Sequence, residues 1–304
     1  MSRKVPRTKD KSLLPRALMT AALTLLVAGC MTLDSNLFDA ERVTEYLNPA
    51  DIDTAWHVRG VIPESLRELV ALNSLDSNTI YGLFVRAVRD TDGPDDPHST
   101  VIYCHGKSRC INRFWGRVEL LWEAGFDVFI FDYQGYGMSE GSPSGAACYA
   151  DAEAALAYVL KRPDVDTSRI VLYGWSLGSF MARHLAVDVR PPAAVILENP
   201  MASVSGVAKE GALLAIPGSF LADADFDNET RIAMGDSATR LLIVYGNEDE
   251  TAVPDRCAEL LYSEAHGWGE LDSIVVNGAN HSDIPELMGY DEYRRAMSEF
   301  VNRQ

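Results

Sequence analysis

The alternation of short apolar runs with longer helical patterns constrains this chain most. Runs at 100–104, 127–131, 169–173 and 193–197 read as buried strands, with helical patterns near 112–124, 147–161 and 178–189 between them. The rhythm resumes with a strand at 241–245, a helix at 255–265, a strand at 273–276 and a helix at 285–302. Strands that are apolar on both faces and alternate with helices need cover on both sides, which predicts an α/β fold with a mostly parallel central sheet. Ahead of them, 68–72 and 80–85 flank a turn rich in Asn, Ser and Asp and read as a hairpin, giving about eight strands in all. Residues 66–304 suffice for one domain with a large core. Between Pro200 and Ala238 the rhythm breaks at Gly206, Gly211, Pro217 and Gly218. An insert there would lie over the carboxyl ends of the strands, so about 200–238 is expected to form a small helical cap.

One joint in this pattern carries chemistry. Gly174-Trp175-Ser176-Leu177-Gly178 follows an apolar run and opens a helical one. In that setting G-x-S-x-G forms a nucleophile elbow, its glycines keeping side chains off a cramped turn so that the Ser176 Oγ projects above the sheet. Serine is a weak nucleophile and needs a base, and the base needs an orienting acid. Downstream, strand 241–245 runs into Gly246-Asn247-Glu248-Asp249-Glu250, which makes Asp249 the expected acid, with Glu248 and Glu250 also within reach. Strand 273–276 runs into Asn277-Gly278-Ala279-Asn280-His281, which makes His281 the expected base. His266, the other downstream histidine, reads as the exposed end of a helix. Acyl transfer also needs donors for a developing oxyanion. The backbone N–H of Leu177 is one. The second is expected from Lys107 in the turn His105-Gly106-Lys107-Ser108, where His105 itself is expected to make a structural hydrogen bond.

Taken together, strand-His105-Gly106, the run Asp132-Tyr133-Gln134-Gly135-Tyr136-Gly137-Met138-Ser139-Glu140-Gly141, the serine elbow, Gly246-x-x-Asp249 and the final Gly-x-x-His281 resemble the α/β-hydrolase fold family. They are most similar to its short-capped serine hydrolases, and the resemblance covers about 66–304. It implies cleavage of carboxylic esters or thioesters through an acyl-enzyme on Ser176, with no cofactor and no metal, and a mainly structural role for the Asp132 segment. The stretch Glu250-Thr251-Ala252-Val253-Pro254 is one residue longer before its proline than the family's usual pattern, which keeps Glu250 open beside Asp249. The alternatives are an acyltransferase using the same triad and a non-catalytic envelope scaffold.

The amino terminus has the three-part layout of a secretory signal. Residues 1–16 hold six bases and one acid, and an uncharged run from Ala17 leads to Val27-Ala28-Gly29-Cys30. That run is short for a membrane span, which needs roughly 20 residues. Small residues directly before Cys30 resemble the bacterial lipobox. The resemblance implies a signal peptide over 1–29, lipid on Cys30, a tether and lead-in over 30–65, and a place in the bacterial cell envelope. By the same resemblance, Met31 after the cysteine implies the outer membrane, facing the periplasm. The net charge of −17 excludes a nucleic-acid binder, and losing 1–29 makes the chain more acidic still. The expected partners are therefore a small ester or lipid-like substrate and a membrane reached through the anchor; oligomeric state is not legible. In an oxidising compartment Cys104, Cys110, Cys148 and Cys257 allow three full pairings, between which the sequence does not choose, and Cys104 equally reads as a buried free thiol. Trp175, Met201, Leu213, Leu214, Ile216 and Phe220 read as packing between cap and core, or as the wall of an acyl pocket.

Overall fold

The computed structural model describes residues 37–52, 58–74, 77–88, 98–204 and 226–303. Among the described residues, eight strands form the central sheet: β1 (Arg67–Asn73), β2 (Thr79–Val85), β3 (Thr100–Cys104), β4 (Asp127–Phe131), β5 (Ile170–Trp175), β6 (Ala194–Glu198), β7 (Arg240–Gly246) and β8 (Glu270–Val276). They form one sheet in the order β8-β7-β6-β5-β3-β4-β2-β1. The hairpin partners β1 and β2 pair antiparallel, as β2 does with β4; every other pairing is parallel. The strands β3, β4, β5 and β6 are buried along their whole length, as sheets covered on both faces require, whereas the edge strand β1 alternates. Successive side chains point to opposite faces. On one face Ile102, Phe129, Leu172, Leu197 and Ile243 pack against α2 (Gly145–Lys161), α3 (Gly178–His184) and α4 (Ala258–Glu264). On the other, Val101, Val128, Val171, Ile196 and Val244 pack against α1 (Trp115–Glu123) and α6 (Tyr290–Asn302).

The single helix expected over 285–302 is two, α5 (Ile284–Met288) and α6, because Gly289 adopts φ 86° and ends the first. The lead-in also differs from a free tether. From Leu37 onward it belongs to the domain: Phe38 is buried, and Asp39–Ala40 pair in parallel with Ser108–Arg109. Farther along, buried Glu119 accepts the N–H groups of Arg59 and Val61 at 2.8 and 3.1 Å. Backbone pairing and the Phe38 ring therefore extend the domain toward the amino terminus, from residue 66 back to Leu37. Cys30 and the signal region lie outside the described residues, as do 205–225 and with them Leu213, Leu214, Ile216 and Phe220.

The residues on either side of 205–225 are core. Met201, Ala202, Phe226 and Ile232 are buried. The Asn228 amide donates to Ser179 Oγ at 3.1 Å and to the Met201 carbonyl at 2.8 Å. The four described cysteines are all free and buried. Burial raises the Cys104 and Cys257 thiols, and pushes Cys110, beside Asp132, up to about 12, so these stay protonated and unreactive.

Candidate active site

Register decides what meets above the sheet. Cys104 pairs with Gly174, Trp175 with Glu198, Glu198 with Val244, and Gly246 with Val276. The carboxyl ends of five parallel strands are thus level, and the turns that follow them gather at one edge. Ser176 takes φ 54° in the turn between β5 and α3, a conformation that a side chain adopts only where the surroundings hold it. They do so closely. A Cβ at Gly178 would lie 1.9 Å from the Cys104 carbonyl oxygen, and one at Gly174 would lie 2.7 Å from the Gly178 oxygen. The two glycines of the elbow are there because backbone passes where a side chain would sit.

His281 Nε2 lies 2.7 Å from Ser176 Oγ, and His281 Nδ1 lies 2.7 Å from Asp249 Oδ2. A carboxylate only accepts, so Nδ1 carries the proton and Nε2 is the acceptor facing the serine hydroxyl. Asp249 is buried, and its other oxygen accepts the N–H groups of Thr251 and Ala252 at 2.7 and 2.8 Å. The carboxylate is held by a turn of its own making, which accommodates the extra residue before Pro254. Glu250 and Glu248 are exposed. His266 is exposed just beyond α4, as the sequence suggested.

The turn at 105–108 lies against the elbow. A Cβ at Gly106 would stand 2.6 Å from the Trp175 ring and 3.5 Å from Ser176 Cβ, so only glycine lets the turn come so near. The Lys107 carbonyl accepts from Asp39 N–H at 3.0 Å and Tyr136 Oη at 2.7 Å, bracing the peptide that follows the one carrying the Lys107 N–H. Leu177 is buried at the start of α3. His105 is fully buried, its Nδ1 donating to the Gly106 carbonyl at 2.7 Å. Its Nε2 stands 3.2 Å from Asp132 Oδ1, an electrostatic contact rather than an aligned hydrogen bond. Asp132 also accepts Tyr46 Oη at 2.7 Å and the Ile111 N–H at 3.0 Å. Burial and this carboxylate hold the Tyr46 phenol well above its ordinary value, so it remains a donor.

A second set of residues surrounds the trio. Glu198 and Asn199, at the end of β6, touch all three segments of the trio. The Glu198 carbonyl accepts the Ser176 N–H at 3.0 Å. Asn199 Oδ1 accepts the Gly246 N–H at 3.0 Å, at the root of the Asp249 turn. Asn199 Nδ2 donates to the carbonyls of His281 and Asn280 at 3.0 and 3.2 Å. Asn199 takes φ 43°, which asparagine tolerates better than most residues. The buried Glu198 carboxylate accepts from Arg117 Nε at 2.8 Å and from Tyr173 and Tyr293 Oη at 2.6 and 2.7 Å. Burial, the largest effect, pulls the Arg117 guanidinium down; Glu198, with the hydroxyls of Tyr173, Tyr103 and Tyr293, more than offsets it and holds it well above its ordinary value. Arg117 in turn donates to the Ser282 carbonyl at 3.1 Å and lies over the Trp175 ring. Trp175 is wedged between Phe114 and His281, and Met201 is buried in the core, so both are packing residues here. A signal for Glu198 did exist: a charged residue closing an otherwise apolar strand.

Two clefts share Glu250 and Thr251. One, of about 380 Å³, is lined by Glu248, Gly278, Asn280 and His281; the other, of about 400 Å³, by Ala202, Ser203, Glu229 and Cys257. No cluster able to hold a metal ion occurs among the described residues.

Sheet order, elbow and trio together define a serine hydrolase of the α/β-hydrolase fold. Residues 95–234 match the family described as serine aminopeptidase, S33. The uncharacterized protein YfhR of Escherichia coli K12 is 34% identical over 239 residues, which span 77% of this chain and 80% of YfhR. The chain belongs to the same family as YfhR, with the α/β-hydrolase fold. Among solved structures, the Pyrococcus furiosus esterase Pf2001 superposes with a TM-score of 0.64 at 18% identity, over 88% of this chain and 98% of that one. A puromycin-hydrolyzing peptidase of Mycobacterium tuberculosis superposes with a TM-score of 0.61 at 14% identity, over 80% of this chain and 40% of that one. At such identities the likeness is one of fold.

Proposed function

We propose that the protein is a lipid-anchored cell-envelope hydrolase that cleaves carboxylic esters or thioesters through an acyl-enzyme on Ser176. The observation that carries the chemistry is the chain Ser176 Oγ, His281 Nε2, His281 Nδ1, Asp249 Oδ2, with both contacts at 2.7 Å. His281 takes the Ser176 proton as Oγ bonds to the acyl carbon, then gives it to the departing alkoxide or thiolate. Asp249 holds the imidazolium, and the N–H groups of Leu177 and Lys107 receive the oxyanion. Water, activated by His281 in its turn, releases the acid. The signal-like amino terminus and the cysteine after Ala28-Gly29 support the envelope location and the lipid on Cys30.

A second reading, amide cleavage next to a free amino group, is favoured by the family's description and by exposed Glu248 and Glu250 beside His281, which suit an ammonium group. A series of p-nitrophenyl esters run beside aminoacyl p-nitroanilides decides between them. The ester reading expects turnover of the esters, lost in Ser176→Ala, with anilides cleaved far more slowly. Faster cleavage of the anilides would overturn it.

A further inference from the structure

We propose that the Ser176 site is held against the bilayer that the chain's own anchor enters, and that its substrates are acyl esters carried in that bilayer. This rests on the proposed function, both the hydrolase chemistry and the lipid on Cys30. Six residues separate Cys30 from Leu37, where the described chain begins. The seven backbone steps between them reach at most about 25 Å when fully extended. A domain of this length is on the order of 45 Å across. A tether that short cannot pass around the molecule, so the face where it arrives is the face the membrane sees.

The tether arrives at the active-site rim. The Phe38 ring packs edge-on against Tyr136 and Phe226, with centroids 6.5 and 6.4 Å away. The Asp39 N–H donates to the Lys107 carbonyl at 3.0 Å, and the Glu41 N–H to the Arg109 carbonyl at 3.1 Å. Lys107 adjoins Gly106, which lies against Ser176. The anchor is thus fastened to the turn expected to bind the oxyanion, at the carboxyl ends of the strands. Phe226 adds an independent mark on the same rim. Its carbonyl accepts the Val204 N–H at 3.1 Å.

Such a short tether supplies bilayer esters at high effective concentration, without the domain needing affinity for anionic headgroups that its own charge would repel. The chemistry is unchanged. The bond from Ser176 Oγ to the acyl carbon forms, the bond from that carbon to the lipid's alcohol oxygen breaks, and the proton passes through His281 to that oxygen. Water then releases a free fatty acid.

The test uses the full chain, processed and lipidated in a bacterial envelope, then placed in phosphatidylethanolamine/phosphatidylglycerol vesicles. A fluorogenic long-chain ester dissolved in the vesicles is compared with p-nitrophenyl acetate in the buffer. A variant with a flexible Gly/Ser insert of about 30 residues after Ser35 should lose about tenfold on the vesicle ester, following the −3/2-power fall of effective concentration with tether length. Its rate on p-nitrophenyl acetate should stay unchanged. Equal rates of the two proteins on the vesicle ester overturn the proposal. Mass spectrometry of the mature amino terminus separates the underlying readings. An unmodified Cys30 removes the anchor and the proposal with it, and a wild-type protein inert toward both esters removes the hydrolase chemistry.

Discussion

Two histidine–aspartate pairs sit within reach of the serine elbow, and only one is built to move a proton. His281 gives Nδ1 to Asp249 and turns Nε2 to Ser176 Oγ, with 15% of its side chain exposed beside an open cleft. His105 has no exposure and is stacked on Phe114. Its two nitrogens face the Gly106 carbonyl and Asp132. A base needs a ring nitrogen left for the nucleophile and a route to water; a brace needs neither. Histidine chemistry on this scaffold is set by what the second nitrogen faces.

The largest effect that could break this contrast is deletion of each ring. His281→Ala should lower kcat by about 10⁴-fold or more while the melting temperature stays near that of the wild type. His105→Ala should do the reverse: it removes a fully buried ring stacked on Phe114 and leaves a cavity, costing about 3–5 kcal/mol, with far less change in kcat per folded molecule. Parallel thermal melts and ester assays check both, and a His105→Ala protein that is fully stable but inactive would void the contrast. Next comes the acid. Asp249→Ala should cost about 10³-fold or more in kcat, whereas Glu250→Gln, on an exposed residue that makes no contact with His281, should leave it within about twofold.

A smaller effect sharpens the account of what holds the base. Asn199 ties the histidine loop to the acid turn through its side chain while its backbone sits at φ 43°. Asn199→Ala and Asn199→Gly should both lower kcat by about 10–100-fold with little change in KM, as lost supports of a catalytic group do. Glycine accommodates the backbone but supplies no amide. If Asn199→Gly kept wild-type kcat, the backbone conformation, and not the hydrogen bonds, would be what matters. The smallest effect concerns charge at the mouth. Glu248→Gln with Glu250→Gln should raise kcat/KM for esters bearing a carboxylate several-fold, and leave neutral esters unchanged.

Much of the fold was legible because strands buried on both faces write themselves as apolar runs, and the glycines at 174 and 178 mark where backbone crowds the elbow. Ser176, Asp249 and His281 could be picked out because the mechanism demands each on a strand end, and register brings strand ends level. Glu198, Asn199 and Arg117 could not. Their partners are backbone groups and side chains 22–165 positions away, and nothing local distinguishes a buried Asn from one in a turn. The lead-in misled for a similar reason. A polar segment broken by Asn48-Pro49 reads as a tether, yet Phe38 and the backbone pairing at Asp39–Ala40 commit it to the domain.

The central claim is that Ser176, activated by His281, is the nucleophile. The most direct measurement is labelling of the folded protein with a fluorophosphonate, followed by peptide mass mapping. The account predicts a single adduct on Ser176, absent in Ser176→Ala, strongly slowed in His281→Ala and abolished on unfolding. No adduct on the folded wild type, or an adduct on another serine that survives Ser176→Ala, would contradict it.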